Sequence, residues 1–135
     1  MNSTSEFVPE KDLRLLLEAT IDEATREENA TTVQRDVVLV FHESLADIKF
    51  LKVIGYNPHL ALNVSEIVDT RELDQYNTRN NNQSGLEKVL NRLQIPHSFL
   101  HNAGNDAVYT LQAMISLAVE RRVMSLERRA KTDKA

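Results

Sequence analysis

Val37-Val38-Leu39-Val40-Phe41 is a run of five apolar residues with no polar interruption, three of them valine. A strand with one wet face alternates apolar and polar side chains, so an unbroken β-branched run predicts a strand buried on both faces, as in a parallel sheet covered by helices. Such a strand needs neighbours. Only one other stretch reads as a strand, SEIVDT at 65–70. The order along the chain is helix, strand, helix, strand, helix, helix, which predicts an α/β layered domain. Two strands cannot bury both faces of VVLVF, so the sheet is expected to be incomplete.

The helices follow from spacing and caps. EKDLRLLLEATIDEATREE (10–28) places Leu13, Leu16, Leu17 and Ile21 on one helical face. NATTVQR (29–35) is a short polar connection. SLADIKFLKVIG (44–55) predicts a helix with Ser44 as N-cap and Gly55 as the residue beyond its end. RELDQYNTRNNNQ, rich in asparagine, is expected to be a mobile surface loop. Ser84 and Glu87 have the spacing of a capping box opening the helix LEKVLNRLQ, which Pro96 ends. The final helix is expected to start near Asn105 or Asp106 and to continue into the tail. In domain terms, 1–9 is a disordered N-terminus, 10–125 one partial domain and 126–135 a basic tail.

A chain of 135 residues fits one domain with one core. The absence of cysteine excludes disulfides, thiolate metal sites and cysteine nucleophiles. There is no signal-peptide pattern and no long apolar run, so the expectation is an intracellular protein, cytoplasmic or nuclear, with no membrane partner. Net charge is −4, which does not suggest a constitutive nucleic-acid coat. The charge is unevenly spread: residues 120–135 carry six basic and three acidic residues. These suit the negative end of a helix dipole or phosphate contacts. Four Phe, three Tyr and no Trp offer no recognisable stacking platform for bases.

Polar residues gather at the ends of the elements: His42 and Asp47 after the first strand, Asp69 at the end of the second, His101 and Asp106 at the start of the last helix. Ligands of open α/β sheets bind beyond the carboxyl ends of the strands. Two carboxylates and a histidine there would suit a hard divalent cation and an activated water. Plainer roles are open for each. A helix dipole alone favours Asp106 in a first turn, Asn105 is a good cap, Gly104 can supply a positive φ, and Asp47 can sit on a wet helix face.

The wording HNAGNDAVYTLQAM at 101–114 resembles the third motif of the DEDDh 3′–5′ exonucleases, which have a ribonuclease H-like fold. That motif sets a histidine five residues before a metal-binding aspartate, here His101 and Asp106. VVLVFHESLADIKFLKVIGY is similar to the second motif, with Asp47 as its acid, and EIVDTREL to the strand between them. HNAGNDA…TLQA looks most like a fungal branch of the superfamily. The resemblance covers residues 10–125. It implies a ribonuclease H-like α/β fold and two Mg²⁺ or Mn²⁺ ions about 4 Å apart clamping a scissile phosphate. Asp47 and Asp106 would be metal ligands and His101 the general base, with His42, Asp69, Asn102 and Gly104 in support. The implied partners are 3′ ends of single-stranded DNA or RNA.

The family's first motif, an Asp-x-Glu on the central strand supplying two of four metal-binding acids, has no counterpart in residues 1–36. The first three strands of the fold would then be absent, leaving a truncated mixed sheet flanked by helices. Two acids cannot satisfy two hard cations, so this chain is expected to be inactive and marginally stable. Three readings remain: an exonuclease-superfamily member lacking half its metal cage, a non-enzymatic interaction module that forms a homo- or hetero-oligomer through an exposed strand edge, or a protein whose sequence extends upstream.

Overall fold

The computed structural model describes residues 8–26 and 35–133. Most of the expected N-terminal disorder (1–9) and of the polar connection (29–35) lies outside the described residues. The elements are α1 (Glu10–Thr25), β1 (Val37–Phe41), α2 (Ser44–Val53), a one-turn 3-10 helix (Pro58–Leu60), β2 (Val64–Asp69), α3 (Thr70–Thr78), α4 (Leu86–Arg92) and α5 (Ala103–Thr132). β1 and β2 pair as a two-stranded parallel sheet, a mixed α/β architecture. The chain divides into two compact units, Met1–Leu39 with Leu45–Ile67, and Val40–Ser44 with Val68–Ala135.

In the first unit, Pro9 precedes α1 and Glu10 and Asp12 fill its first turn, the arrangement a helix dipole favours. Ile21 and Thr25 are its buried residues. Leu16, expected on the buried stripe, is 50% exposed. The Thr25 carbonyl accepts the Arg35 N–H, and Asp22 accepts from the Asn63 amide at 2.8 Å. α2 ends as its glycine predicts: Gly55 has φ +86°, its N–H reaches the Lys52 carbonyl, and the Tyr56 N–H reaches Leu51.

β1 corrects the expectation of burial on both faces. None of its five residues is fully buried, and Val38 is 44% exposed. With one neighbouring strand among the described residues, the apolar run lacks the partners its composition calls for.

The second unit holds a compact core. Val89, Leu90, Ala113 and Leu117 are buried, with Leu73, Leu86, Leu93, Ile95, Leu100 and Tyr109 packed around them. α3, α4 and α5 pack on one another. The expected mobile loop after β2 is largely α3, a helix through Thr78. Its inward residues are polar, Thr70, Asp74 and Asn77, so no apolar stripe announced it.

These polar groups are held by distant partners. Arg92 of α4 bonds Asp74 at 2.7 Å and Glu120 of α5 at 2.8 Å. Asn77 donates to the Leu117 carbonyl and to Glu120. The hydrogen bonds from Arg92 hold the Glu120 carboxyl below its usual range against an opposing burial effect. One network thus ties the three helices.

The ends of α4 differ from expectation. Gly85 stands at its N-cap without a side-chain bond, so Ser84 lies one residue too early to form the capping box; its carbonyl accepts from His42. The helix ends before Pro96 because Gln94 turns left-handed (φ +56°) while the Ile95 N–H closes on Leu90. α5 starts at Ala103, two to three residues before the expected position. Its cap is Asn102 rather than Asn105. Gly104 is helical, and the positive φ belongs to His101 at +68°. Among the described residues no helix is long and apolar enough to cross a membrane.

Candidate functional site

Six of the seven residues singled out from the sequence fall in the second unit; Asp47, exposed in the first turn of α2, falls in the first. Within the second unit they form two hydrogen-bonded groups. Among the described residues no hydrogen bond joins one group to the other.

The first group lies where the strands end. Asp69, the last residue of β2, accepts the Arg71 N–H at 2.9 Å and the Glu43 N–H at 3.2 Å on one oxygen, and the Ser44 N–H at 2.7 Å on the other. It therefore caps α3 and also binds the N–H of Ser44, the first residue of α2. Burial works against the charged carboxylate, but the N–H donors of Ser44, Glu43 and Arg71 outweigh it and hold the Asp69 carboxyl below its ordinary value. Glu43 turns left-handed there (φ +72°) and pairs with Arg71 at 2.9 Å.

His42 has both ring nitrogens engaged. Nδ1 lies 2.9 Å from the Thr70 hydroxyl and Nε2 3.1 Å from the Ser84 carbonyl. Since a carbonyl only accepts, Nε2 carries the proton. Burial lowers the His42 pKa, favouring that neutral ring. With Nδ1 unprotonated, the single Thr70 hydroxyl proton is shared between that nitrogen and the Phe41 carbonyl at 3.1 Å. His42 thus joins the strand ends to the turn before α4. Neither nitrogen is left for a ligand while these bonds are made.

The second group opens α5. The Asn102 side chain accepts the N–H groups of Gly104 and Asn105, and Asn105 donates to the Phe99 carbonyl at 3.1 Å. One Asp106 oxygen accepts the His101 backbone N–H at 3.2 Å. The histidine–aspartate spacing of the motif is a real contact, made through the backbone. The His101 imidazole is exposed and takes no hydrogen bond among the described residues. Tyr109 fixes the preceding link by accepting from and donating to the Ser98 backbone. Two left-handed residues, Phe99 and His101, complete the turn.

The family-implied metal ions can be tested against this donor set. Mg²⁺ requires near-octahedral oxygen ligation. Among the described residues no group of three or more histidine, aspartate or glutamate side chains could hold a metal ion. The groups present do not fit a metal centre by themselves. Two residues that sequence reasoning missed, Asp74 and Glu120, are carboxylates committed to Arg92.

Comparison with known proteins defines the class. Residues 2–117 match the family model of the DNA polymerase III subunit epsilon-like, C-terminal domain (DEDDh_C), and the chain belongs to that family, within the DEDDh exonuclease superfamily. Among its relatives is the uncharacterized protein YDR514C of Saccharomyces cerevisiae, 37% identical over 102 aligned residues, which cover 64% of this chain and 21% of that protein. Another is the Good for full DBP5 activity protein 2 of the same yeast, 38% identical over 91 residues, covering 53% of this chain and 16% of that protein. The chain spans about a fifth or less of these relatives' length.

Proposed function

We propose that this chain is a nucleic-acid-binding DEDDh domain that carries half of a phosphodiesterase site and does not hydrolyse by itself. It keeps His101, Asp106 and Asp47 in the family's order, with Asp106 tied to the His101 backbone. The carrying observation is the donor set: the described acids do not converge in a group that could hold an ion. The ligand class is the single-stranded 3′ end of DNA or RNA, which the motif resemblance of His101 and Asp106 implies.

The test is release of nucleotides from 5′-labelled single strands in Mg²⁺, by the chain and by Asp106→Ala. Neither protein is expected to shorten the strand. Shortening by the parent that is lost in the variant would show a complete site using the assigned acid. Shortening that survives in the variant would refute the role assigned to Asp106.

A second reading, an interaction module, is favoured by the outer face of α5. Val108, Leu111, Ile115, Val119, Val123 and Leu126 are all about half exposed and recur every three or four residues. The six positions are symmetric about Leu117. A second copy laid antiparallel would set Val108 on Leu126, Leu111 on Val123 and Ile115 on Val119, an isologous contact with opposed helix dipoles. One relative is, by its name, good for another protein's full activity. Light scattering is expected to show a dimer that Ile115→Glu converts to a monomer of unchanged helicity. A parent chain that stays monomeric at high concentration contradicts this reading.

A further inference from the structure

α5 continues for fifteen residues past the family-matched stretch, which ends at residue 117. Two adjoining cavities lie there, of about 270 and 260 Å³, sharing Asn77, Met124 and Arg128 in their walls. Arg79, Arg121, Arg128, Arg129 and Lys131 line them against one acid, Glu127. In a chain of net charge −4 this is a sharp local reversal of sign.

These cations differ from Arg92, which two carboxylates hold. Among the described residues none of the five takes part in an ion pair. Arg121 instead lies 4.1 Å above the ring of Tyr76. Tyr76 is 58% exposed and belongs to the first cavity's wall. A guanidinium over an accessible tyrosine ring presents a flat, positively charged stacking surface. The sequence offers no such platform because its two halves are 45 residues apart.

We propose that this groove binds single-stranded nucleic acid, with a base stacked on the Tyr76–Arg121 pair and backbone phosphates on Arg128, Arg129 and Lys131. Cationic grooves with aromatic steps are the general solution for binding single strands without reading sequence. A lipid surface would take the charges but has no use for the stacked pair, and the only large apolar residue in these walls beside the tyrosine is Met124. The ligand class rests on the nucleic-acid-binding reading above, but the residues are different. The groove lies near the opposite end of α5 from Asp106, 22 residues along the helix from Arg128 or about 33 Å.

The test is fluorescence anisotropy of labelled oligouridine and oligothymidine with the whole chain in EDTA, so that the outcome is independent of any metal-dependent chemistry. Arg128→Glu/Arg129→Glu is expected to weaken binding by about tenfold or more and to lower the salt dependence by about two phosphate contacts. Tyr76→Ala is expected to weaken it about tenfold while Tyr76→Phe binds like the parent. Lys88→Glu, a charge reversal on the exposed face of α4 outside both cavities, is expected to bind like the parent, which shows that the loss is local to this groove. Circular dichroism checks that each variant is folded. Unchanged affinity in the charge-reversed or Tyr76→Ala protein overturns the proposal, as does binding to phosphatidylserine vesicles without binding to either oligonucleotide.

Discussion

Leu117→Ala is expected to lower the unfolding free energy by about 2–5 kcal/mol, the range for emptying a fully buried leucine site. Leu117 has no exposed surface and sits in the second unit's core with Val89, Leu90 and Ala113. Its carbonyl also receives the Asn77 amide, a bond the substitution preserves, so the loss measures packing. Against a typical total of about 5–15 kcal/mol for a domain, one such change is enough to unfold much of a marginal chain. Urea denaturation followed by circular dichroism measures it. A loss under about 1 kcal/mol would mean that the three helices are loosely packed.

Arg92→Met is expected to cost about 3 kcal/mol, because it strands the Asp74 carboxylate, which is 5% exposed and has Arg92 as its partner. The lower part of the usual range applies because the Arg92 side chain is 32% exposed and water screens its far end. The penalty belongs to the uncompensated charge. Asp74→Leu placed on the Arg92→Met background is therefore expected to recover most of the loss, while Asp74→Leu alone frees Arg92 to keep Glu120. Additive losses in that cycle would show that the pair is not coupled. The same network explains why α3 exists.

That helix marks where sequence reading ran out. β1, β2 and the glycine end of α2 were legible because each follows a local rule of composition or capping; the helix after Ser84 was expected from a capping box that it does not form. α3 follows none: its inward face is Thr70, Asp74 and Asn77, and their partners lie far along the chain in α4 and α5. Asparagine-rich composition reads as loop until those partners are in place. Ser84 shows the converse: α4 begins at Leu86 with Gly85 as its N-cap, one residue later than a Ser84 cap requires.

The candidate site was partly legible. His101 and Asp106 meet as their spacing suggests, yet through a backbone N–H, since a left-handed histidine presents its amide to the aspartate. Asp69 and His42 were marked as supporting residues; in the structure one caps a helix and the other joins the strand ends to the turn before α4. β1 matches the strand count: its apolar run has one neighbouring strand among the described residues and stays partly exposed.

Calorimetric titration of Mn²⁺ into the chain and into Asp106→Ala most directly tests whether half a site is what these residues make. The expected result is no saturable two-ion binding by either protein. Two ions bound per chain, and lost on removal of the Asp106 carboxylate, would contradict it.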